Sequence, residues 1–222
     1  MLFRSKKTEI IGVADDLSVV LQGEFKNPVP EFMGTFGMPN LSKLKTILGL
    51  EVYREEPNLS INKQQDASGA TVPGGVHFEN KDGDFKNDYR FMSASVVSNK
   101  LKTPTFNGAK WHIEFSPTVA AIQRLRMQSQ ANSEEPNFQA KTEDGHLKFF
   151  FGDHSTHGGN FVFQHDVGGS LKRAWSWPAK QFLEILSLPG DKTVRISDDG
   201  VTKITVDSGI AVYDYYLLAQ SK

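Results

Sequence analysis

The sequence predicts an α+β protein of two similar halves, each an antiparallel β-sheet backed by short helices. Two observations carry this. Most of the chain alternates apolar and polar residues with period two and breaks at Gly, Asn and Asp, the grammar of half-buried strands. One helix-to-strand script is also written twice, as Leu44-x-x-Ile47-Leu48-x-Leu50 and Phe182-x-x-Ile185-Leu186-x-Leu188. Self-similarity of this kind points to a duplicated structural unit. The 222 residues, with sixteen Phe and three Trp, allow two domains of about a hundred residues, each with its own core. The halves are expected over 1–100 and 111–222, with "NKLKTPTFNGAK" (99–110) as the linker between them.

"TEIIGVADDLSVVLQGEF" predicts two short strands around Ala14-Asp15-Asp16. The first helix is expected over Pro39–Leu48, with Leu41, Leu44, Ile47 and Leu48 on one face. Residues 60–90 are polar, Gly-rich and poor in aliphatics, and are expected to form a long excursion within the first half. The second helix starts with Ser116 as N-cap and Pro117 at the first helical position, placing Val119, Ile122 and Leu125 on one stripe. Asp144-Gly145 signals a hairpin, because a primed turn requires positive φ. "GGNFVFQHDV" and "LKRAWSW" follow as strands, then a helix over Pro178–Leu186 with Phe182, Ile185 and Leu186 inward. "KTVRIS" and "VTKITV" pair across Asp199-Gly200, and "IAVYDYYLLA" is the closing strand. Each helix is only about three turns long and needs a sheet beneath it to persist.

Charge and motif content exclude several classes. With 25 basic and 26 acidic residues and a net charge of −1, the chain is no uniformly basic coat for nucleic acid. The absence of Cys removes disulfides, thiolate zinc sites and cysteine nucleophiles, and fits a reducing cytoplasm. No signal-like apolar stretch follows "MLFRSKK", and no run of about 18 apolar residues suggests a membrane span. Nucleophile-elbow, phosphate-loop and dinucleotide motifs are missing. Asp82 and Asp84 lack the length and terminal Glu of a calcium loop. His154 and His157, with His165 or Asp166, would be the ligands of a metal-dependent enzyme. They lie on a strand end and a Gly-rich turn, where polar turn residues are the commoner explanation.

The helices carry the remaining signal. On a 100° wheel Arg124 lies opposite Ile122 and Leu125, with Arg126 nearer the apolar stripe. Lys43 points away from Leu44 and Leu48, with Lys45 on a flank, and Lys180 is opposite Phe182, sharing its face with Glu184. Three short helices presenting Lys or Arg outward suit contact with phosphates without base reading.

From about Ile113 onward the chain resembles the second domain of the DNA polymerase sliding clamps of tailed bacteriophages, distant relatives of the eukaryotic proliferating cell nuclear antigen. The residues that carry the resemblance are "FSPTVAAIQRLRMQSQ", "FQAKTEDGHLKFFFGD" and "WSWPAKQFLEILSLPGDKTVRISDDGVTKITVDSGIAVYDYYLLA". "EFMGTFGMPNLSKLKTILGL" resembles the corresponding stretch of a first clamp domain, and residues 60–90 show no likeness. The resemblance implies a non-enzymatic, cofactor-free homotrimeric ring of two-domain subunits. It would encircle double-stranded DNA without sequence preference, tether the replicative DNA polymerase and be opened by a clamp loader, in the host cytoplasm if viral. It implies Lys43, Arg124 and Lys180 facing the duplex, with Lys45 and Arg126 beside them. It further implies a partner peptide held by Leu101, Pro104 and Phe106 with the final strand at Tyr213 or Tyr215. Such domains open with a helix, whereas the first half opens on "MLFRSKKTEIIGVADD", the strand that follows it; apolar surface and one lining position are then expected to be uncovered. The competing expectation is a β-rich structural or virion protein that does not bind DNA.

Overall fold

A computed structural model describes residues 7–100, 108–152 and 157–220. Their contacts divide the chain into two units: residues 9–27 group with those from 108 onward, while 7–8 and 28–100 form the other. The expected boundary near residue 100 places 9–27 in the first half. Instead the hairpin of β1 (Glu9–Val13) and β2 (Val19–Phe25) belongs to the sheet of the later unit. The turn expected around Ala14-Asp15-Asp16 is present, Asp16 Oδ1 accepting from both the amide and the hydroxyl of Ser18 at 3.0 and 2.6 Å.

The smaller unit holds α1 (Leu41–Leu48), β3 (Asn58–Gln65), β4 (Thr71–Glu79), β5 (Lys86–Arg90) and α2 (Ala94–Lys100). The region 60–90 is therefore not an irregular excursion but a sheet ordered β3-β4-β5. Its polarity has a structural reason. β3 is an almost wholly exposed edge strand, and the Gly and Asn clusters are its turns. Asp66 Oδ1 accepts from the amides of Ser68 and Ala70 at 2.8 and 3.0 Å, and Asn80 Oδ1 from those of Asp84 and Phe85 at 3.1 and 3.0 Å. Phe78 and Tyr89 bury one face against Ile47, Tyr53 and Phe91. The Tyr89 hydroxyl donates to the Pro39 carbonyl and so fixes the entry to α1. α1 begins after Asn40, whose side chain caps the Lys43 amide, rather than at Pro39. α2, unanticipated in the sequence, occupies the start of the expected linker; 101–107 lie outside the described residues.

The larger unit continues with β6 (Ile113–Phe115), α3 (Val119–Ala131), β7 (Asn137–Glu143), β8 (His146–Phe151), β9 (Gly159–Gln164), β10 (Trp175–Pro178), α4 (Ala179–Leu186), β11 (Asp191–Ile196), β12 (Val201–Asp207) and β13 (Ala211–Leu218). One sheet runs β1-β2-β13-β12-β11-β6 and the other β10-β7-β8-β9. Every pairing in them is antiparallel. The predicted hairpin between β7 and β8 turns on Asp144 and Gly145 with φ of 53° and 78°. A single core joins both sheets and both helices around Phe138, Phe149, Phe163, Trp177, Phe182 and Leu125. Phe149 stacks on Phe163 at 4.3 Å, with Phe182 edge-on to both.

Candidate functional site

α3 and α4 lie side by side on the larger unit. Thr118, not Ser116, caps α3, its side chain accepting from the Ala121 amide at 3.1 Å. The buried line is Ala121 and Leu125, with Ile122 partly covered, while Val119 is 73% exposed. The expected stripe is thus rotated onto Ala121 and Leu125, one i,i+4 pair, and Val119 at the first helical position is left outside it. On α4, Ala179, Phe182, Ile185 and Leu186 are all buried, as their spacing predicts. Arg124, Arg126, Lys180 and Glu184 are exposed. Arg126 Nη2 donates to Ser187 Oγ at 3.0 Å, so one of these cations crosses from α3 to the end of α4. Three cationic side chains on two adjoining helices form a surface able to contact phosphates as point and fork charges.

Lys43 and Lys45 are exposed on α1 in the other unit. The predicted apolar face of α1 is only half used. Ile47 is 4% exposed and Leu44 partly covered, but Leu41 and Leu48 are 62% and 60% exposed. The matching residues of α4, Ala179 and Leu186, are 2% and 1% exposed. α4 has α3 alongside it, whereas α1 rests on β5.

Leu101, Pro104 and Phe106 lie outside the described residues. Tyr213 and Tyr215, part-buried, pack on the core side of the six-stranded sheet. The Tyr213 ring stands over Gly23, where a Cβ would come within 2.8 Å of it. Burial raises the phenol pKa of Tyr215. Because strand neighbours alternate sides, the outer face is made by Val212, Asp214, Tyr216 and Leu218. There Tyr216, Val20 and Val201, at 9%, 8% and 5% exposed, form a buried apolar patch, with Val13, Ala109 and Trp111 packed partly covered against it. The amide of Leu218, whose side chain is 45% exposed, bonds the Ser18 carbonyl, next to the 53% exposed Leu17. Sequence alternation alone would have found this patch had β2 been assigned beside β13. Beyond it along the strands is an open groove of about 580 Å³ carrying Glu9, Glu24, Lys26 and Asp214.

Of the expected metal ligands, His157, His165 and Asp166 are among the described residues. His157 and His165 are exposed, and the His146 ring is edge-on to His165 at 5.0 Å, accepting from the Asp166 amide through Nδ1 at 3.2 Å. Among the described residues no group of three His, Asp or Glu side chains is placed to hold a metal ion; His154 lies outside them. No helix among the described residues is long and apolar enough to cross a membrane.

Neither a protein-family profile nor a curated protein matches the sequence. Solved structures do match the fold. PCNA from Thermococcus kodakaraensis superposes with a TM-score of 0.63 at 10% identity over 98% of this chain and 88% of its own. PCNA from A. fulgidus, solved with the C-terminal region of FEN-1 bound, gives 0.65 at 9% over 99% and 88%. A chain of the PCNA2–PCNA3 complex of Sulfolobus tokodaii gives 0.62 at 13% over 99% and 89%. The chain therefore has the PCNA-like clamp fold, with antiparallel sheets and few short helices along almost its full length.

Proposed function

We propose that this chain is a sliding clamp: a non-enzymatic scaffold that encircles double-stranded DNA and tethers a replicative DNA polymerase so as to raise processivity. The observation that carries this is the clamp fold over 98–99% of the chain. In keeping with it, Arg124, Arg126 and Lys180 stand exposed on the adjoining helices of one unit, and Lys43 and Lys45 on α1 of the other. Loose contacts to phosphates hold a duplex without stopping it from sliding, since they carry no sequence information. Three copies would close the ring, and a separate clamp loader would open it. A phage source and host cytoplasm belong to the same reading.

Partner peptides would be held by the linker residues Leu101, Pro104 and Phe106 together with the final strand around Tyr213 and Tyr215. Tyr213 and Tyr215 are part-buried on the core side of that strand. The A. fulgidus protein was solved with a partner's C-terminal region bound, which supports a peptide-docking surface on this fold.

Two measurements test the function together. Sedimentation equilibrium at micromolar concentration should give a trimer. Protein loaded on a circular duplex should stay bound in high salt and slide off once the circle is cut. A monomer at all concentrations, or equal retention on cut and closed circles, would overturn the reading.

A further inference from the structure

We infer that the duplex first meets an uncharged ridge of α3, formed by Gln123, Met127 and Gln130, and that the cations reach it from the sides; this rests on the clamp reading above. The helix itself sets the direction of that ridge. Ala121 and Leu125, 1% and 0% exposed, fix which side of α3 meets the core. Val119, Gln123 and Met127 each lie two residues from one of them, just over half a turn, and so point the opposite way. Spaced by four, four and three, Val119, Gln123, Met127 and Gln130 stack in one line. All four are exposed, Val119 at 73% and Met127 at 60%. No charge lies on that line.

The cations of the two helices stand off it. Arg126 Nη2 donates to Ser187 Oγ at 3.0 Å, so its flank of α3 is the one toward α4. Arg124, two residues earlier, is just over half a turn from Arg126 and lies on the far flank. On α4 the exposed Lys180 is followed one turn later by the exposed Glu184, a carboxylate that repels the phosphates Lys180 attracts. The outward surface of the pair is therefore a neutral ridge between two arginines, beside a helix face whose two charges cancel.

That arrangement sets how a duplex is held. Each cation that neutralises a phosphate adds affinity and about one unit of salt dependence. A glutamine amide has donors and an acceptor but no charge. Its bond to a phosphate is about half as strong as that of a cation, so it trades phosphate for water with little loss at each step along the DNA. Met127 adds a flexible apolar side chain between the two amides. Retention then comes from ring closure and easy sliding from the ridge, in keeping with a chain of net charge −1.

The absence of Cys lets single introduced thiols report proximity. The full chain carrying Gln123→Cys or Met127→Cys, labelled with a thiol-specific aryl azide and loaded on a closed circular duplex, should crosslink to the DNA on irradiation. Gln139→Cys is the control. Gln139 lies between the buried Phe138 and Ala140 on β7, so it points to the other side of that sheet from Phe182, and it should not crosslink. In Gln123→Lys/Gln130→Lys the salt dependence of binding to a short linear duplex should rise by about two units of slope, one for each added cation. Gln139→Lys should leave that slope unchanged. Crosslinking from position 139 as strong as from 123, none from 123 or 127, or an unmoved slope in the double-lysine variant overturns the inference; retention on closed but not cut circles then leaves the clamp standing. Equal retention of the unsubstituted protein on both circles overturns the clamp reading and this inference with it.

Discussion

Arg126 on α3 donates through Nη2 to Ser187 Oγ, the residue that ends α4, at 3.0 Å. A cation of the proposed DNA-facing set thus also ties one helix to the other, while Arg124 and Lys180 have no such bond among the described residues. The surface proposed to face DNA is thus also a helix–helix joint.

Substituting these residues should separate the two roles. Arg124→Ala and Lys180→Ala are expected to weaken retention on DNA and to lower its salt dependence by about one unit of slope for each phosphate left without its cation, with stability unchanged. Arg126→Ala should do the same and also lower stability, by about 0.5–1 kcal/mol, because an exposed hydrogen bond is removed. Salt titrations of DNA retention, paired with denaturant unfolding, check both.

The repeated helix gives a matched pair. Leu186→Ala removes a side chain that is 1% exposed, and should cost about 2–5 kcal/mol through lost burial and the cavity left behind. Leu48→Ala, at the corresponding position of α1, removes one that is 60% exposed, and should change stability by less than about 0.5 kcal/mol. Urea unfolding of the two variants measures the contrast directly.

Gly75 tests the sheet over 60–90. A Cβ there would collide with the Tyr89 carbonyl on β5. Gly75→Ala should therefore part β4 from β5 and cost about 1–3 kcal/mol. Amide exchange at Tyr89 and Arg90 should rise with it. In an irregular excursion the same substitution would be silent.

Acid should weaken the larger unit in a defined window. Hydrogen bonds from Lys26 and from the Gly209 amide lower the Asp207 pKa below 3.8, and the Arg195 guanidinium lowers that of Glu114 below 4.5. Depressed values mean that the folded state holds fewer protons than the unfolded state. Their contribution is complete above the unfolded values and is lost as pH falls through the folded ones. Unfolding midpoints should therefore be flat from about pH 7 to 5 and drop below about pH 4. Lys26→Gln should shrink the drop.

The elements set by short-range physics are readable from residue order. The hairpin at Asp144-Gly145 follows from two positive φ angles, and α4 from a helical apolar period that is buried as predicted. The cap of α3 lies two residues from the expected one, because Ser116 and Thr118 are both competent caps and only the helix's seat on Ala121 and Leu125 selects between them. The strands within 60–90 are hidden from sequence reading because β3, exposed on both faces, has no apolar alternation to display, and β4 puts Pro73 and Gly75 at buried positions where apolar side chains would signal a strand. Of the site, the exposed cations on α1, α3 and α4 are legible from the helical wheel. The buried apolar cluster on the outer side of the final strand is not, since it draws on residues near 13, 20, 109, 201 and 216.

By itself, then, the order of residues determined the local alphabet outside 58–100: where most strands and helices form, where turns invert, and which helices carry outward charge. Only the tertiary structure decided that β1 and β2 complete the sheet of the later unit, that Leu48 is bare while Leu186 is covered, and that Arg126 reaches Ser187. Backbone preference acts over a few residues, whereas strand partnership and burial are set by surfaces that meet across a hundred or more.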